Sequence, residues 1–240
     1  MFEREPNLHK NLLFACLDVD LHLERIAGGN ESEVYRTDDA SFVVKLKNEP
    51  YPTSTAALLE TQELRAAAEN FVNIIGSEHS VSSHFLIASS DTHYAYIIIV
   101  QPYLQESTPL FYIDYATLTR TQRQLVATQL QTIIRRSLSS YWHTGLIPDI
   151  YGLSAASPAE RAQHNSLSRL PARLWSFLIR RTLLRAHNLV LTSEQQIRLI
   201  DYDPVRRSAL YKRVYYTARA TLFFRDLFFI WLMKHTGWAY

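Results

Sequence analysis

The feature that most constrains this chain is a pair of short, mostly apolar runs, residues 189–191 and 197–200, joined by a polar turn. Two such runs separated by a few turn-forming residues predict a β-hairpin. Asn188 precedes the first run and Asp201 follows the second, and because a hairpin brings its ends together, their side chains should lie close to each other. Amide and carboxylate oxygens are ligands that Mg²⁺ accepts. The pattern therefore predicts a site for a hard cation, with an ordinary turn as the alternative.

Length and composition are those of an ordinary globular protein. The 240 residues, 47% of them apolar and 20% charged, are enough to bury a core as one domain or as two joined lobes. The net charge of +2 is too small to indicate nucleic-acid binding. The arginine-rich stretch 173–185 keeps such binding as a less favoured alternative. The single Cys16 excludes an intrachain disulfide and a cysteine-rich metal site. With no signal peptide and no stretch that could span a bilayer, we expect a cytoplasmic protein.

The N-terminal part of the chain has a glycine pair followed by a strand that contains a lysine. Gly28 and Gly29 connect two expected strands, and backbone N–H groups in such a turn can cover a phosphate. Lys45 lies inside the next β-rich run, residues 41–47, after Phe-Val-Val. Lysine is rarely buried without a partner, so we expect a phosphate and a carboxylate beside it.

The carboxylate should come from the helix that follows. Residues 54–71 are rich in alanine, leucine and glutamate, and their apolar positions recur at helical spacing. Glu60 and Glu63 are the candidate partners of the lysine. We favour Glu60, because Leu64 one turn later should share its inward face. A solvated glutamate is the alternative for either residue.

The character of the chain changes from strand to helix near residues 101–107. Before this point we expect further strands at 73–75, 84–88 and 94–100, and the last of them is apolar enough to be central in its sheet. The sequence thus predicts an α+β fold with two lobes. Residues 1–101 would form a small β-rich lobe with one long helix, and residues 102–240 a mostly helical lobe.

The helical part has two prominent segments. Residues 116–141 carry leucine and isoleucine at helical spacing and should form a long core helix that ends at Gly145. Residues 205–240 are helical and aromatic. We expect these aromatic side chains to lie in the core or between packed elements, since a role at a membrane surface is the less common use of such a pattern.

In this order the parts resemble those of the protein-kinase-like superfamily, in particular its small, divergent bacterial members and its aminoglycoside-phosphotransferase and RIO-type branches. The resemblance spans most of the chain from residue 21 to residue 205 and lies in the order of the elements, since no single motif is complete. It implies a glycine-rich loop at Gly28 and Gly29, a phosphate-binding lysine at Lys45 with Glu60 as its partner, a hinge at Gln101 and Tyr103, and metal ligands at Asn188 and Asp201.

The chain departs from the family pattern at its glycine loop, which lacks the G-x-G-x-x-G spacing, and after Asp201, where Tyr-Asp replaces Phe-Gly. A third departure concerns the catalytic aspartate. The family places it five residues before the asparagine, and that position is Leu183. Either the protein is a pseudokinase, or the aspartate is Asp149 and residues 153–187 are an insertion. We favour Asp149, because a long helix, a short turn and an apolar pair lead into it, as in the family.

The resemblance implies an ATP- and Mg²⁺-dependent phosphotransferase. Asp149 would accept or orient the hydroxyl of the acceptor, and hinge backbone would bind adenine, with the N–H of Tyr103 as donor because Pro102 has none. Only 39 residues, 202–240, follow the metal aspartate, which favours a small hydroxyl-bearing acceptor over a protein. A catalytically inactive pseudokinase that binds nucleotide or acts as a scaffold is the alternative.

Overall fold

The structure, a computed structural model, describes residues 23–28, 32–89, 94–148, 150–151, 182–202 and 209–238. Within these residues the fold is α+β, as predicted, with an antiparallel sheet and three long helices. The chain divides into two compact units. The first unit combines the chain up to Ala66 with Ser82–Leu104, and the second combines Ala67–Val81 with the chain from Gln105 onward.

The first unit is built on a five-stranded antiparallel sheet. Its strands are β1 (Leu23–Gly28), β2 (Ser32–Thr37), β3 (Phe42–Lys47), β4 (His84–Ser89) and β5 (Ala95–Pro102), in the spatial order β1-β2-β3-β5-β4. The register pairs Lys45 of β3 with Val34 on one side and Ile99 on the other. β3 is therefore the central strand, and Lys45 lies at the middle of the sheet.

Helix α1 (Ser54–Ile75) follows β3 in the sequence. Its buried side chains recur every three or four residues, which is the stripe of an amphipathic helix: Ala57, Thr61, Leu64, Ala68, Phe71 and Ile75. The strand predicted at 73–75 is wrong, because Ile75 completes this stripe and the helix continues to it. The chain leaves the helix at Gly76, whose φ of 92° is open to glycine but strained for other residues.

The second unit contains a small sheet and two long helices. The strands β6 (Thr108–Pro109), β7 (Leu189–Leu191) and β8 (Ile197–Leu199) lie side by side in that order. The helices are α2 (Arg120–Thr144) and α3 (Ala209–Thr236). They run antiparallel: Tyr141 near the end of α2 hydrogen-bonds Thr217 of α3 at 2.9 Å, and Gly237 after α3 lies against Arg123 near the start of α2.

Sequence signals set both ends of α2. Thr119 and Gln122 form a capping box, so the helix begins at Arg120, later than the predicted residue 116. Gly145 ends it in the left-handed conformation with φ 71°, which confirms the predicted stop.

The prediction that the aromatic side chains of the last segment are buried is correct only in part. Tyr216 and Phe223 of α3 are buried, whereas Phe224, Phe228 and Trp231 are exposed. Neighbouring aromatic residues in a helix point in different directions, so a pair such as 223–224 cannot be buried on one face. Among the described residues, no helix is both long enough and apolar enough to cross a bilayer.

Candidate functional site

The predicted hairpin is confirmed as β7 and β8. Leu189 pairs with Leu199 and Leu191 pairs with Ile197, and a turn at 192–196 connects the strands. At the open end, the N–H of Ile200 donates to the carbonyl of Asn188 at 3.0 Å. This bond fixes the backbone of Asn188 beside the residue that precedes Asp201. Both Asn188 and Asp201 are half-buried, so their side chains remain within reach of solvent.

The hairpin is anchored to the segment 77–81 that follows α1. His79 Nδ1 lies 3.0 Å from the carbonyl of Ile197, and Arg198 Nη1 donates to the carbonyl of Ser77 at 3.0 Å. The hydroxyl of Tyr202 donates to the carbonyl of Val81 and accepts from its N–H, both at 2.6 Å. Burial raises the pKa of Tyr202 to about 12, so its hydroxyl stays protonated and able to donate. Asp201 is thus followed directly by a fixed residue.

Helix α2 holds the turn of the hairpin from another side. The side chain of Gln129 donates to the carbonyl of Gln195 at 2.7 Å and accepts from the N–H of Ile197 at 2.8 Å. One amide therefore satisfies two backbone groups of the hairpin. Gln129 was not predicted, because it is one of four glutamines on this helix and its neighbours in the sequence do not indicate a partner in the hairpin.

The segment before Asn188 meets the segment near residue 150. A short 3₁₀ turn, Leu183–Arg185, leads to His187, whose N–H donates to the carbonyl of Tyr151 at 2.9 Å. Asp149 lies outside the described residues. Tyr151, the turn Leu183–Arg185 and His187 form a cluster beside the hairpin. The cluster joins the two stretches of sequence considered for the catalytic aspartate, because Tyr151 is two residues after position 149 and Leu183 is the other candidate position.

Asp226 of α3 holds this cluster together. Its carboxylate accepts hydrogen bonds from the hydroxyl of Tyr151 and from the N–H of Leu183, and it forms an ion pair with Arg225 at 2.6 Å. Burial raises the pKa of the Asp226 carboxyl above its ordinary value, against the opposing effect of Arg225. This role was not predicted, although an acid within the apolar stretch 221–233 is itself a signal, because acids are almost never buried without partners.

The predicted phosphate-binding residues belong to the first unit. Gly28 ends β1 opposite Glu33, and Gly29 lies outside the described residues. Lys45 is half-buried in the central strand. Glu60 is also half-buried, one turn before the buried Leu64, whereas Glu63 is exposed.

The predicted hinge requires one correction. Gln101 is buried and its side chain donates to Ser83 Oγ at 2.8 Å. The N–H of Tyr103, expected to bind adenine, donates instead to the carbonyl of Ser41 at 2.9 Å. This bond arises because the pairing of Phe42 with Pro102 continues one residue beyond the strands. A backbone N–H makes one strong hydrogen bond, so that of Tyr103 is already used.

A cavity of about 370 Å³ lies next to the segment that leads to Asn188. Its lining includes Phe111, Asp114, Arg185 and Trp238. The ring of Phe111 stacks on His187 with 4.3 Å between centroids, and the Arg185 guanidinium lies 5.9 Å from the same ring. Burial lowers the pKa of His187, which keeps that imidazole neutral near pH 7. The cavity therefore joins aromatic surface, one cation and one carboxylate, and no pattern in the sequence indicates it.

Asn188 and Asp201, the predicted Mg²⁺ ligands, lie at the open end of the hairpin. Among the parts of the chain that the structure describes, no three His, Cys, Asp or Glu side chains are grouped so that they could hold a metal ion. Mg²⁺ is commonly bound by one or two protein oxygens together with waters and substrate phosphates, so one amide and one carboxylate fit it better than they fit Zn²⁺.

Comparison of the sequence with models of protein families and with curated proteins finds no match.

Proposed function

We propose that this protein is an ATP-dependent phosphotransferase with a two-lobed, protein-kinase-like fold. The observation that carries the proposal is the hairpin with Asn188 at its start and Asp201 at its end, held by hydrogen bonds from α2 and from the segment 77–81. A lysine in the central strand of an antiparallel sheet, followed by a helix with a half-buried glutamate, supports it further. This is the order of parts on which the resemblance rests.

In the proposed mechanism the protein mainly positions groups and places charge near the transferring phosphoryl group. Asn188 and Asp201 hold Mg²⁺, which supplies positive charge at the phosphates when it is bound. Lys45, oriented by Glu60, contacts the phosphates, and Asp149 orients the acceptor hydroxyl.

Two further groups would bind the nucleotide. The backbone at Gly28 and Gly29 covers the phosphates in this proposal. Gln101 and Tyr103 form the hinge, and because the N–H of Tyr103 is engaged by Ser41, the carbonyl of Tyr103 is the group we assign to the adenine amino group.

We place the acceptor in the cavity beside Arg185. Arg185 forms no ion pair with any described residue, and its guanidinium is held over the ring of Phe111. A cation in this position favours an acceptor that carries an anionic group as well as the reacting hydroxyl. Phe111 and the exposed Tyr112 would contact its apolar or ring surface.

Mg-ATP binding tests the proposal directly. A ligand that binds only the native state raises the melting temperature, so we expect a rise at millimolar Mg-ATP in the parent. Lys45→Ala and Asp201→Asn should abolish most of that rise and keep the parent's melting temperature without ligand. Lys47→Ala, at the end of the same strand, and Asp38→Asn, in an exposed turn, are the matched controls. Equal shifts in all five proteins would remove the nucleotide site from the proposal.

A pseudokinase is the second candidate, and the surroundings of Leu183 favour it. This residue lies five positions before Asn188, is fully buried, and donates its backbone N–H to Asp226. If Leu183 takes the place of the catalytic aspartate, the parent should bind Mg-ATP without transferring or hydrolysing phosphate. Turnover by the parent and its loss in Asp149→Asn would exclude this candidate.

A further inference from the structure

Helix α3 has an apolar outer face that is exposed among the described residues of the second unit. Five large side chains on this face are exposed: Leu210 by 75%, Val214 by 62%, Phe224 by 63%, Phe228 by 57% and Trp231 by 52%. At 3.6 residues per turn they fall within an arc of about 100°, on the side opposite the buried Phe223 and Ile230. They extend over 21 residue steps, or about 32 Å of helix. We call these five residues the outer stripe.

The end of α2 adds a further aromatic side chain near the outer stripe. Tyr141 hydrogen-bonds Thr217, which lies between Val214 and Phe224 on α3, and the adjacent Trp142 is 73% exposed. Trp238, just after α3, is also exposed. All three tryptophans that the structure describes are therefore exposed, although tryptophan is usually well buried on average.

The exposed charges on α3 itself are of one sign. The only acid of α3 is Asp226, which is fully buried and bonded to Arg225, Tyr151 and Leu183. The bases of the helix include Lys212 and Arg213 near its start and Lys234 and His235 in its last turn, and Arg213 and His235 are exposed. The outer side of α3 thus combines phenylalanine, tryptophan and leucine with positive charge and has no exposed carboxylate.

We propose that the outer stripe, together with Trp142, binds the surface of an anionic lipid bilayer. Aromatic and aliphatic side chains along one helix face can enter the boundary between headgroups and acyl chains, and nearby bases gain from contact with anionic headgroups. Tryptophan suits this boundary because its ring is largely apolar and its N–H can still reach a polar partner. The helix lies along the surface and does not cross the bilayer.

The same charges argue against a second copy of the chain as the occupant. Pairing two α3 helices along their outer stripes would bring bases of one copy toward bases of the other, with no exposed acid on either helix to separate them. Like charges placed together across an interface oppose association. An anionic surface meets no such opposition.

Sedimentation with lipid vesicles tests the proposal without any assumption about phosphotransfer. The full chain should sediment with vesicles of mixed phosphatidylcholine and phosphatidylglycerol, bind pure phosphatidylcholine vesicles at least ten-fold more weakly, and lose affinity as salt is raised. Tryptophan emission should shift to shorter wavelength on the anionic vesicles.

Variants locate the contact on α3. Phe228→Glu and Trp231→Glu should each weaken binding to anionic vesicles at least ten-fold, and because both side chains are exposed, their melting temperatures should stay near that of the parent. Leu59→Glu is the matched control, because Leu59 is an exposed apolar residue on α1. This variant should bind like the parent.

Three results would overturn the proposal. The first is no binding to anionic vesicles, which would leave a protein partner as the occupant. The second is equal binding to neutral and anionic vesicles. The third is a parent protein that is dimeric without lipid and becomes monomeric in Phe228→Glu, which would assign the outer stripe to a second copy of the chain.

Discussion

Replacing Tyr202 with phenylalanine removes one oxygen atom from the contact that holds the hairpin to the segment 77–81. In the parent this hydroxyl makes two hydrogen bonds of 2.6 Å, one to the carbonyl and one to the N–H of Val81. The ring is buried and lies 6.5 Å from the ring of Phe71. Phenylalanine keeps the ring contacts, so the variant removes only these two hydrogen bonds and a longer one, at 3.3 Å, to the carbonyl of Leu199.

The expected cost follows from the burial of Val81. An intramolecular hydrogen bond contributes about 1 kcal/mol net, and a buried group that loses its partner costs up to about 3 kcal/mol. For two such bonds we expect the free energy of unfolding to fall by roughly 2–4 kcal/mol. In a protein of this size, 1 kcal/mol moves the melting temperature by about 2–4 °C, so the variant should melt roughly 4–16 °C lower.

Urea unfolding and thermal melting measure this loss, and Tyr112→Phe is the control. Tyr112 is 68% exposed, so removal of its hydroxyl should change the free energy of unfolding by less than about 0.5 kcal/mol. Hydrogen exchange should also speed up at the amide of Val81 in the Tyr202 variant. If Tyr202→Phe is as stable as the parent and Val81 exchanges at the parent rate, the hydroxyl of Tyr202 does not anchor the hairpin.

Three further predictions concern other parts of the structure. Burial raises the folded pKa of the Asp226 carboxyl above its unfolded value. This carboxyl therefore stabilises the fold below the unfolded pKa, and the contribution is lost as pH rises through the folded pKa. Urea unfolding at several pH values should show the parent losing free energy of unfolding, relative to Asp226→Asn, between these two pKa values. Gly145→Ala should lower the free energy of unfolding by about 1 kcal/mol, because φ is 71° and the added methyl meets open space. Gly76→Ala should lower the melting temperature more than Gly145→Ala does, because its methyl also meets the side chain of Arg136. Asp149→Asn should leave Mg-ATP binding unchanged by thermal shift and reduce turnover about 100-fold; turnover at the parent rate would contradict the assigned base.

Local patterns in the sequence were enough to predict the hairpin and the end of α2. Two short apolar runs around a polar turn specify β7 and β8 within a few residues, and Gly145 can adopt the left-handed conformation that ends a helix. These features depend on residues close together in the chain. The same holds for Lys45, which was placed on a strand because apolar β-branched residues surround it.

The contacts that complete the site were beyond prediction because they join residues far apart in the sequence. Gln129 binds a turn 66 residues later, and Tyr202 binds a residue 121 positions earlier. Nothing near these residues in the chain indicates their partners. The N–H of Tyr103 shows the same limit, since its bond to Ser41 depends on the register between two strands.

The hairpin is held from three directions, and this bears on what the site can do. Gln129 fixes the turn, Tyr202 fixes the end beyond Asp201, and the bond between Ile200 and Asn188 fixes the open end. Backbone held in this way loses little further freedom when a ligand binds, so more of the contact energy remains as affinity. A loosened hairpin should therefore bind Mg-ATP more weakly even when Asn188 and Asp201 are unchanged. In the Tyr202→Phe variant, weaker nucleotide binding at a temperature where the protein is fully folded would connect the anchoring of the hairpin to the proposed function.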